Sequence, residues 1–206
     1  MSVPTVLVTG GIGSGKSLLC SMLSQRGIPV YDCDGSVRRL YDSCPGLLEG
    51  VEELVGEPLR LEGGGLDRRK LSALIFSSDS LREAVEDLVY PVLKADILHW
   101  NSLQGEELPF VVLESAIMTE KPIFDSLYDA CVLVDAPENL RIQRAALRDG
   151  SSGNAIRERM AAQHISPEKA DAVILNDGTP EQLRARMESL FFDKNSYICK
   201  LIKERI

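Results

Sequence analysis

The segment at residues 10–17 reads GGIGSGKS and matches the phosphate-binding loop pattern G-x-x-x-x-G-K-[ST] in full. The apolar, β-rich run Thr5–Thr9 lies directly before it, and the helix-forming stretch Leu18–Arg26 lies directly after it. A strand, a glycine loop and a helix in this order distinguish a genuine phosphate-binding loop from a chance match. The sequence therefore predicts a strand–loop–helix unit that binds a nucleoside triphosphate.

The predicted loop offers three kinds of group to a phosphate. Its glycines allow positive φ angles, so backbone N–H groups can turn inward around an anion, and the following helix adds the positive end of its dipole. Lys16 is long enough to reach the β- and γ-phosphates, and Ser17 offers a hydroxyl to Mg²⁺. The predicted ATP-binding residues of this segment are Gly11, Ile12, Gly13, Ser14, Gly15, Lys16, Ser17 and Leu18.

Short apolar runs alternate with helical patterns along the rest of the chain. The predicted strands are residues 5–9, 28–31, 109–113, 131–134 and 173–175. This alternation is typical of an α/β fold, here a five-stranded parallel sheet of the P-loop NTPase type flanked by helices. The predicted parts are a nucleotide-binding core at 1–35 and 109–206, a helical insertion at 36–108, and a lid at about 138–165.

Local signals predict where several helices begin and end. Gly27 suits the position just after the first helix, and Asp67 precedes a helical pattern as a suitable N-cap. The stretch from Pro180 to Ile206 is interpreted as one C-terminal helix.

Composition and charge exclude several classes of function. The net charge of −8 over 206 residues argues against a broad electrostatic footprint for nucleic acid. The five cysteines are scattered without a C-x-x-C pair, which indicates reduced thiols and neither a disulfide framework nor a zinc site. No apolar run approaches the ~20 residues that span a bilayer, and the first strand begins too early for a signal peptide. We expect a cytoplasmic protein without a nucleic-acid or membrane partner.

Two carboxylates, Asp32 and Asp34, follow the second predicted strand. Because ligands of an open parallel sheet bind beyond the carboxyl ends of its strands, both are expected near the phosphates. A carboxylate there accepts the proton of an attacking hydroxyl or anchors waters around Mg²⁺. The alternative for Asp34 is a helix N-cap. Arg38, one turn further, is either a ligand for phosphate or carboxylate or an exposed surface arginine.

Arg141, Arg144 and Arg148 recur at helical spacing after the fourth strand, and residues 149–154 then break the helix. A basic helix face is usually only solvated. In a protein with a phosphate loop, however, a basic and flexible segment is typical of a lid whose arginine neutralises the transferring phosphoryl group. Arg144 and Arg148 face the same way and are predicted to contact ATP.

A second acidic group near Mg²⁺ has two candidates. Glu114 ends the third predicted strand and Asp135 ends the fourth. The sequence does not choose between them, so Ser17 is the predicted metal ligand.

Taken together, these motifs resemble the dephospho-CoA kinase family over nearly the whole chain, to about Leu190. The family's opening TGGIGSGKS appears at residues 9–17, and its Asp-x-Asp followed four residues later by Arg falls on Asp32, Asp34 and Arg38. The later matches, in order, are Asp67, Arg68, Leu71, Ile75 and Phe76, then residues 116–120, then Arg144, Arg148, Asp149 and Gln163, then residues 170–178.

The resemblance implies transfer of the ATP γ-phosphate to the ribose 3′-hydroxyl of dephospho-CoA, the last step of coenzyme A biosynthesis. It implies Asp32 as the general base, with Lys16 and Arg144 as further catalytic residues and Asn176 near the adenine of ATP. The helical insertion becomes the acceptor-binding domain. The acceptor contacts implied are Asp32, Asp34, Arg38, Tyr90 and Glu120.

Two positions depart from the family pattern. Leu18 stands where a Thr usually follows the loop, and the hydroxyl for Mg²⁺ remains on Ser17. Tyr90 stands where the insertion usually has a His, so a phenol that cannot be cationic replaces an imidazole.

Two alternatives to this function remain. One is another P-loop kinase acting on a nucleoside or nucleotide, which would share the donor site and differ in the insertion. The other is a nucleotide-dependent switch protein, which would need no acceptor and hence neither Asp32 nor Arg38. We expect a monomer or a small homo-oligomer.

Overall fold

The computed structural model describes residues 3–63, 65–193 and 196–205. Over these residues, five parallel strands form one sheet in the order β2-β3-β1-β4-β5. The strands are β1 (Thr5–Thr9), β2 (Val30–Asp32), β3 (Val111–Glu114), β4 (Ala130–Asp135) and β5 (Ala172–Leu175). The predicted fold class, a parallel sheet flanked by helices, is confirmed.

Helices occupy most of the chain between and after the strands. They are α1 (Lys16–Gln25), α2 (Cys33–Ser43), α3 (Pro45–Val55), α4 (Arg68–Phe76), α5 (Asp79–Ser102), α6 (Glu138–Asp149), α7 (Gly153–Ala161), α8 (Pro180–Phe191) and α9 (Tyr197–Arg205). Short 3₁₀ turns lie at Met118–Glu120, Pro122–Phe124 and Pro167–Lys169. No helix in the described part of the chain is both long and apolar enough to cross a membrane.

The strands β1, β3 and β4 are almost entirely buried apolar runs, as expected where both faces of a parallel sheet are covered, whereas Val173 and Leu175 of the edge strand β5 are exposed. Every residue of β1 is buried. At the start of the strands, carboxylates bind backbone N–H groups: Asp129 accepts from Thr5 and Asp171 accepts from Cys131, each at 2.8 Å. These bonds satisfy donors that the sheet itself leaves without a partner.

The core of this sheet unit is built by β1, β3 and β4 with helices α1, α8 and α9. Phe110 and Phe191 are fully buried and pack with ring centroids 5.6 Å apart. From α9, Ile198 and Ile202 belong to the same cluster. The last helix is therefore part of the core.

The chain divides into two compact units, one formed by the residues up to Asp32 and from Asn101 onward, the other by Cys33–Trp100. The second unit holds α2 to α4 and nearly all of α5. Its longest helix, α5, buries Val85, Val89, Leu93 and Ile97 at four-residue spacing, which is the stripe expected of an amphipathic helix. The sequence placed this insertion at 36–108. The compact unit instead begins at Cys33, because α2 follows β2 without a loop, and it ends at Trp100, just before the end of α5.

Helix ends agree with the local signals in two cases and differ in one. Gly27 follows α1 with φ of 83°, and the Asp67 side chain accepts from the backbone N–H of Lys70 at 3.0 Å. The prediction of one helix from Pro180 onward is wrong. Helix α8 ends at Phe191, with Phe192 as its C-cap, and the Ser196 hydroxyl accepts from the N–H of Cys199 at 3.3 Å at the start of α9.

Candidate active site

The phosphate loop leaves β1 and enters α1 at the carboxyl edge of the sheet. The helix begins at Lys16 after Gly15, whose φ is 101°. Lys16 Nζ donates to the carbonyl oxygen of Gly10 at 2.8 Å, which holds the ammonium group against the loop. Since the first N–H groups of a helix have no intrahelical acceptor, the start of α1 offers donors to an anion here. The segment has the geometry of a phosphate site.

Ser17, in the first turn of α1, is joined to the acidic residue that ends β3. Its hydroxyl donates to Glu114 Oε1 at 2.6 Å. The thiol of Cys20 also hydrogen-bonds Glu114, and burial, together with the negative charge of Glu114, raises the pKa of that thiol. Glu114 is therefore held between a hydroxyl and a thiol of one helix, beside the loop.

The two candidate acidic residues have different surroundings. Asp135 is exposed, and its carboxylate accepts from the backbone N–H of its neighbour Ala136 at 2.8 Å. Helix α1 packs on the side of β2 and β3, while β4 lies on the opposite side of β1. The structure therefore brings Glu114, and not Asp135, to Ser17.

Asp32 is the last residue of β2 and is exposed. It pairs in register with Glu114 on β3, and paired residues of neighbouring parallel strands point to the same face. Because β3 lies between β2 and β1, Asp32, Glu114 and the loop occupy consecutive places along the carboxyl edge of the sheet. A carboxylate with open access thus stands beside the phosphate site.

Asn176, which follows β5, connects the loop to Arg144, one of the predicted lid arginines. It is buried, and its Nδ2 donates to the carbonyl oxygen of Ser14 at 2.8 Å. The backbone carbonyl oxygen of Asn176 accepts from Arg144 Nη1 at 2.9 Å. Arg144 therefore lies next to the loop through this residue, whereas the sequence had associated Asn176 only with adenine.

Arg148, the other predicted lid arginine, is exposed and held at the end of α6. Its Nε donates to Asp149 Oδ1 at 2.7 Å, and Arg159 of α7 donates to Asp149 Oδ2 at 2.7 Å. These two guanidinium groups lower the pKa of Asp149 to about 2. Asp149 thus joins α6 and α7, and Gly150, with φ of 61°, follows the end of α6 where the sequence predicted a break.

Two residues that the sequence did not assign to the site contact the loop at Ile12. Gln163 Oε1 accepts from the Ile12 N–H at 2.8 Å, and Arg141 Nε donates to the Ile12 carbonyl oxygen at 3.0 Å. Arg141 shared the helical spacing of the other arginines, and Gln163 was among the matches of the resemblance. Neither signal indicates which group the side chain binds.

Asp34 and Arg38 lie in the unit formed by Cys33–Trp100. Both are exposed, one turn apart on α2, while Ser36 and Leu40 of that helix are buried. Asp34 is inside the first turn of a helix that begins at Cys33, so the N-cap alternative is wrong. Both side chains therefore face solvent on the same side of α2.

Tyr90 lies on α5 in the same unit and is partly buried. It forms a side-chain hydrogen bond with Glu86 one turn earlier, and burial and the Glu86 charge raise the pKa of the phenol. Because its pKa is raised, the phenol is neutral near pH 7, and its O–H donates to the Glu86 carboxylate on the same helix.

Glu120 ends the short 3₁₀ turn after β3. Its carboxylate accepts from the Ser166 hydroxyl and from the Thr119 hydroxyl at 3.2 Å, and these bonds, with the Lys169 charge, lower its pKa. The Lys169 ammonium group also donates to the Thr119 carbonyl oxygen. In the structure Glu120 links this turn to residues 166–169, and its contact with the acceptor stays a prediction.

A family model and individual relatives of this sequence all point to the same enzyme family. The family model described as dephospho-CoA kinase matches residues 5–182. The chain is similar to the dephospho-CoA kinase of Porphyromonas gingivalis, with 41% identity over 84% of this chain and 85% of that protein. It is 34% identical to the dephospho-CoA kinase of Bacteroides fragilis, over 93% of this chain and 95% of that one.

Solved structures show the same fold. The crystal structure of TT1252 from Thermus thermophilus superposes with a TM-score of 0.77 at 32% identity, covering 90% of this chain and 95% of that one. The dephospho-CoA kinase from Campylobacter jejuni has a TM-score of 0.57 at 21% identity, with coverage of 89% and 93%, which supports the fold alone.

Proposed function

Because this chain belongs to the dephospho-CoA kinase family, we propose that it transfers the γ-phosphate of ATP to the ribose 3′-hydroxyl of dephospho-CoA, giving CoA and ADP. Family membership makes it an ATP-dependent kinase, a transferase of coenzyme A biosynthesis. One observation carries the proposed mechanism: the phosphate loop, Glu114 and Asp32 lie at the carboxyl ends of three neighbouring strands.

The donor is held by the loop and by the lid. Phosphoryl transfer depends mainly on positioning and on neutralising the charge of the transferring group. The N–H groups at the start of α1 bind the phosphates, and Lys16 exchanges its bond to the Gly10 carbonyl for the β- and γ-phosphates. Arg144, placed by Asn176, supplies a second cation, and Arg148 a third once it leaves Asp149.

The acceptor hydroxyl is activated by Asp32. Its exposed carboxylate accepts the proton as the new bond forms between the ribose oxygen and the γ-phosphorus. The bond from that phosphorus to the bridging oxygen breaks, and ADP leaves. Asp34, Arg38, Tyr90 and Glu120 are the proposed acceptor contacts. An arginine fork at position 38 suits an acceptor phosphate.

The residues beside the loop fit a Mg²⁺ ion. The Ser17 hydroxyl and the Glu114 carboxylate, 2.6 Å apart, are oxygen donors of the kind that Mg²⁺ prefers. Among the described residues, no group of three or more His, Cys, Asp and Glu side chains could hold a metal. Phosphate oxygens and water would complete the coordination of a bound ion, as is usual for nucleotide-bound Mg²⁺. When bound, the ion neutralises charge on the β- and γ-phosphates.

The proposal is tested by measuring ADP release from purified protein with ATP and Mg²⁺, with and without dephospho-CoA. We expect strong stimulation by the acceptor and a product one phosphate heavier by mass spectrometry. Nucleosides and nucleotides serve as competing acceptors in parallel reactions.

The outcomes separate the alternatives. Stimulation by another nucleoside or nucleotide, and not by dephospho-CoA, would contradict the proposed acceptor. Slow ADP release that no acceptor stimulates would favour a nucleotide-dependent switch. In both cases the phosphate loop would keep its role.

Location and assembly complete the proposal. The odd number of free cysteines, three of them buried, supports a reducing, cytoplasmic environment. We infer a monomer or a small homo-oligomer, which light scattering after size-exclusion chromatography measures directly.

A further inference from the structure

An arginine of the lid helix α6 lies on the phosphate loop itself. Arg141 Nε donates to the Ile12 carbonyl oxygen at 3.0 Å. Its guanidinium group also covers Gly11, where a Cβ would lie only 2.0 Å from Nη2. The Arg141 carbonyl oxygen is equally close to Gly13, where φ is +75° and a Cβ would lie 2.2 Å away. Gly13 is therefore required by the backbone of α6, independently of any phosphate, and at Gly11 a larger residue would displace the Arg141 guanidinium group.

Both polar groups of Ile12 are bound by side chains from outside the loop. Gln163 accepts its N–H at 2.8 Å, and Arg141 donates to its carbonyl oxygen. Neither group is then directed at an anion. The Ile12 N–H belongs to the peptide unit that joins Gly11 to Ile12, and the Ile12 carbonyl belongs to the unit that joins Ile12 to Gly13. Each unit therefore has one bond that restrains its rotation, and the Gly13 N–H, which shares a rigid plane with the Ile12 carbonyl, is fixed in direction as well.

We propose that Arg141 is a positioning residue that, with Gln163, holds the two peptide units on either side of the Ile12 Cα in the conformation that binds phosphate. It acts through its hydrogen bond to Ile12 and not through its positive charge. The nitrogen in use is Nε, the innermost of the guanidinium group, which supports this assignment. Arg144 differs, because its outer nitrogen Nη1 binds the Asn176 carbonyl oxygen. The inference rests on the proposed function only in requiring that the loop binds ATP.

The side chains available at position 141 separate a hydrogen-bond role from a charge role. The amide nitrogen of glutamine is as many bonds from Cα as Nε of arginine, so Arg141→Gln keeps the donor and removes the charge. Arg141→Met has similar length and neither donor nor charge. Arg141→Lys keeps the charge but carries its donor one bond further out.

The measurement is the dissociation constant of inorganic tripolyphosphate, and of ATP with Mg²⁺, by titration calorimetry, together with kcat at saturating substrates. We expect Arg141→Gln to bind both ligands within ~3-fold of the unsubstituted protein. Arg141→Met should bind both ~10-fold more weakly, the usual cost of one hydrogen bond that organises a site, and Arg141→Lys should be weaker than Arg141→Gln. Because Arg141 does not contact the transferring group, kcat at saturation should change less than ~3-fold in all three variants.

A second pair of variants keeps the inference testable if Arg141→Met does not fold, as judged by circular dichroism. Gln163→Met removes the bond on the other side of Ile12 and should weaken tripolyphosphate binding to a similar extent. Glu158→Gln, an exposed position on α7, is its control and should bind as the unsubstituted protein does.

Three results would overturn the inference. The first is that Arg141→Lys keeps its affinity for tripolyphosphate while Arg141→Gln loses it, and the second is that Arg141→Gln and Arg141→Met bind equally well. The third is a fall in kcat without weaker binding. The first assigns the charge, the second assigns no role to the hydrogen bond, and the third places Arg141 at the reacting group. Binding is measured without an acceptor. If the protein binds tripolyphosphate but forms no CoA, the proposed function is refuted. The affinities of the Arg141 variants for tripolyphosphate would still decide this inference.

Discussion

At the scale of single residues, the carboxylates at the carboxyl edge of the sheet differ in their bonding. Glu114 accepts from Ser17, and Asp135 accepts from a backbone N–H of its own turn. Asp32 is exposed at the end of β2, in register with Glu114. The residue proposed as the base is thus exposed, lies beside the carboxylate that binds Ser17, and directly precedes α2.

We predict that Asp32→Asn lowers kcat by ~10²-fold or more and changes the dissociation constant of ATP by less than ~2-fold. Asparagine keeps the size and polarity of the side chain but cannot accept the proton of the acceptor hydroxyl. Steady-state kinetics and calorimetry measure the two quantities. Asp135→Asn is the matched control and should keep normal turnover. Near-normal kcat in Asp32→Asn would remove this residue as the base.

The sequence identified the loop residues because their chemistry is local: eight consecutive positions carry the motif. It could not choose between Glu114 and Asp135, because both follow strands that flank β1 and the choice depends on which side of β1 helix α1 packs. Nor could it assign Arg141 and Gln163, whose contacts with Ile12 span 129 and 151 residues of chain. The groups that bind the loop from a distance become visible only in the fold.

At the scale of helices and strands, helix ends were predicted where a single capping side chain determines them. Asp67 caps α4 as its position indicated. The end of α8 at Phe191 has no such signal, since neither Gly nor Pro follows it, and the two C-terminal helices were therefore read as one.

The capping box at the start of α8 allows a stability prediction. The Thr179 hydroxyl accepts from the N–H of Gln182, and Gln182 Oε1 accepts from the N–H of Thr179 at 2.9 Å. Thr179→Ala should lower the free energy of unfolding by about 1 kcal/mol, because one of these N–H groups loses its acceptor. Thr179→Ser keeps the oxygen and should stay close to the unsubstituted protein in urea unfolding. Equal loss in both variants would argue against the cap.

The stability that Asp149 provides by joining α6 to α7 should depend on pH. The pKa of Asp149 is lowered from 3.8 to about 2 by its hydrogen bonds to Arg148 and Arg159. A carboxyl group with a lowered folded-state pKa stabilises the fold above its unfolded pKa and loses this effect as the pH falls through the folded value. The unsubstituted protein should therefore exceed Asp149→Asn in stability at pH 5, by up to about 1 kcal/mol for exposed ion pairs.

That difference should shrink as the pH is lowered from about 4 toward about 2, when urea unfolding is repeated at each pH. Glu158→Gln on α7 is the control and should match the unsubstituted protein throughout. A difference between Asp149→Asn and the unsubstituted protein that grows on acidification would contradict the assignment.

At the scale of the whole molecule, the C-terminal helix joins the core of the sheet unit. Ile198 is fully buried and Ile202 nearly so, in the cluster that includes Phe110 and Phe191. The family match ends at residue 182, before this helix, so the sequence comparison alone does not indicate its importance.

We predict that Ile198→Ala lowers the free energy of unfolding by about 2–5 kcal/mol, since it removes buried methyl groups and leaves a cavity. Lys200→Ala, exposed on the same helix, should change it by less than about 0.5 kcal/mol. Chemical unfolding of both variants measures the difference. A cost as small for Ile198→Ala as for Lys200→Ala would mean that α9 is not part of the core.

The strand order has a consequence for synthesis on the ribosome. β1 is the central strand, yet it is made first, and its two neighbours begin at Val111 and Ala130. A nascent chain arrested before those residues has emerged carries the complete glycine motif but nothing that orders it. The partners that fix the loop come later still, with Asn176 binding Ser14 across 162 residues. The loop therefore acquires this contact only after residue 176 has been synthesised, long after its own sequence has been made.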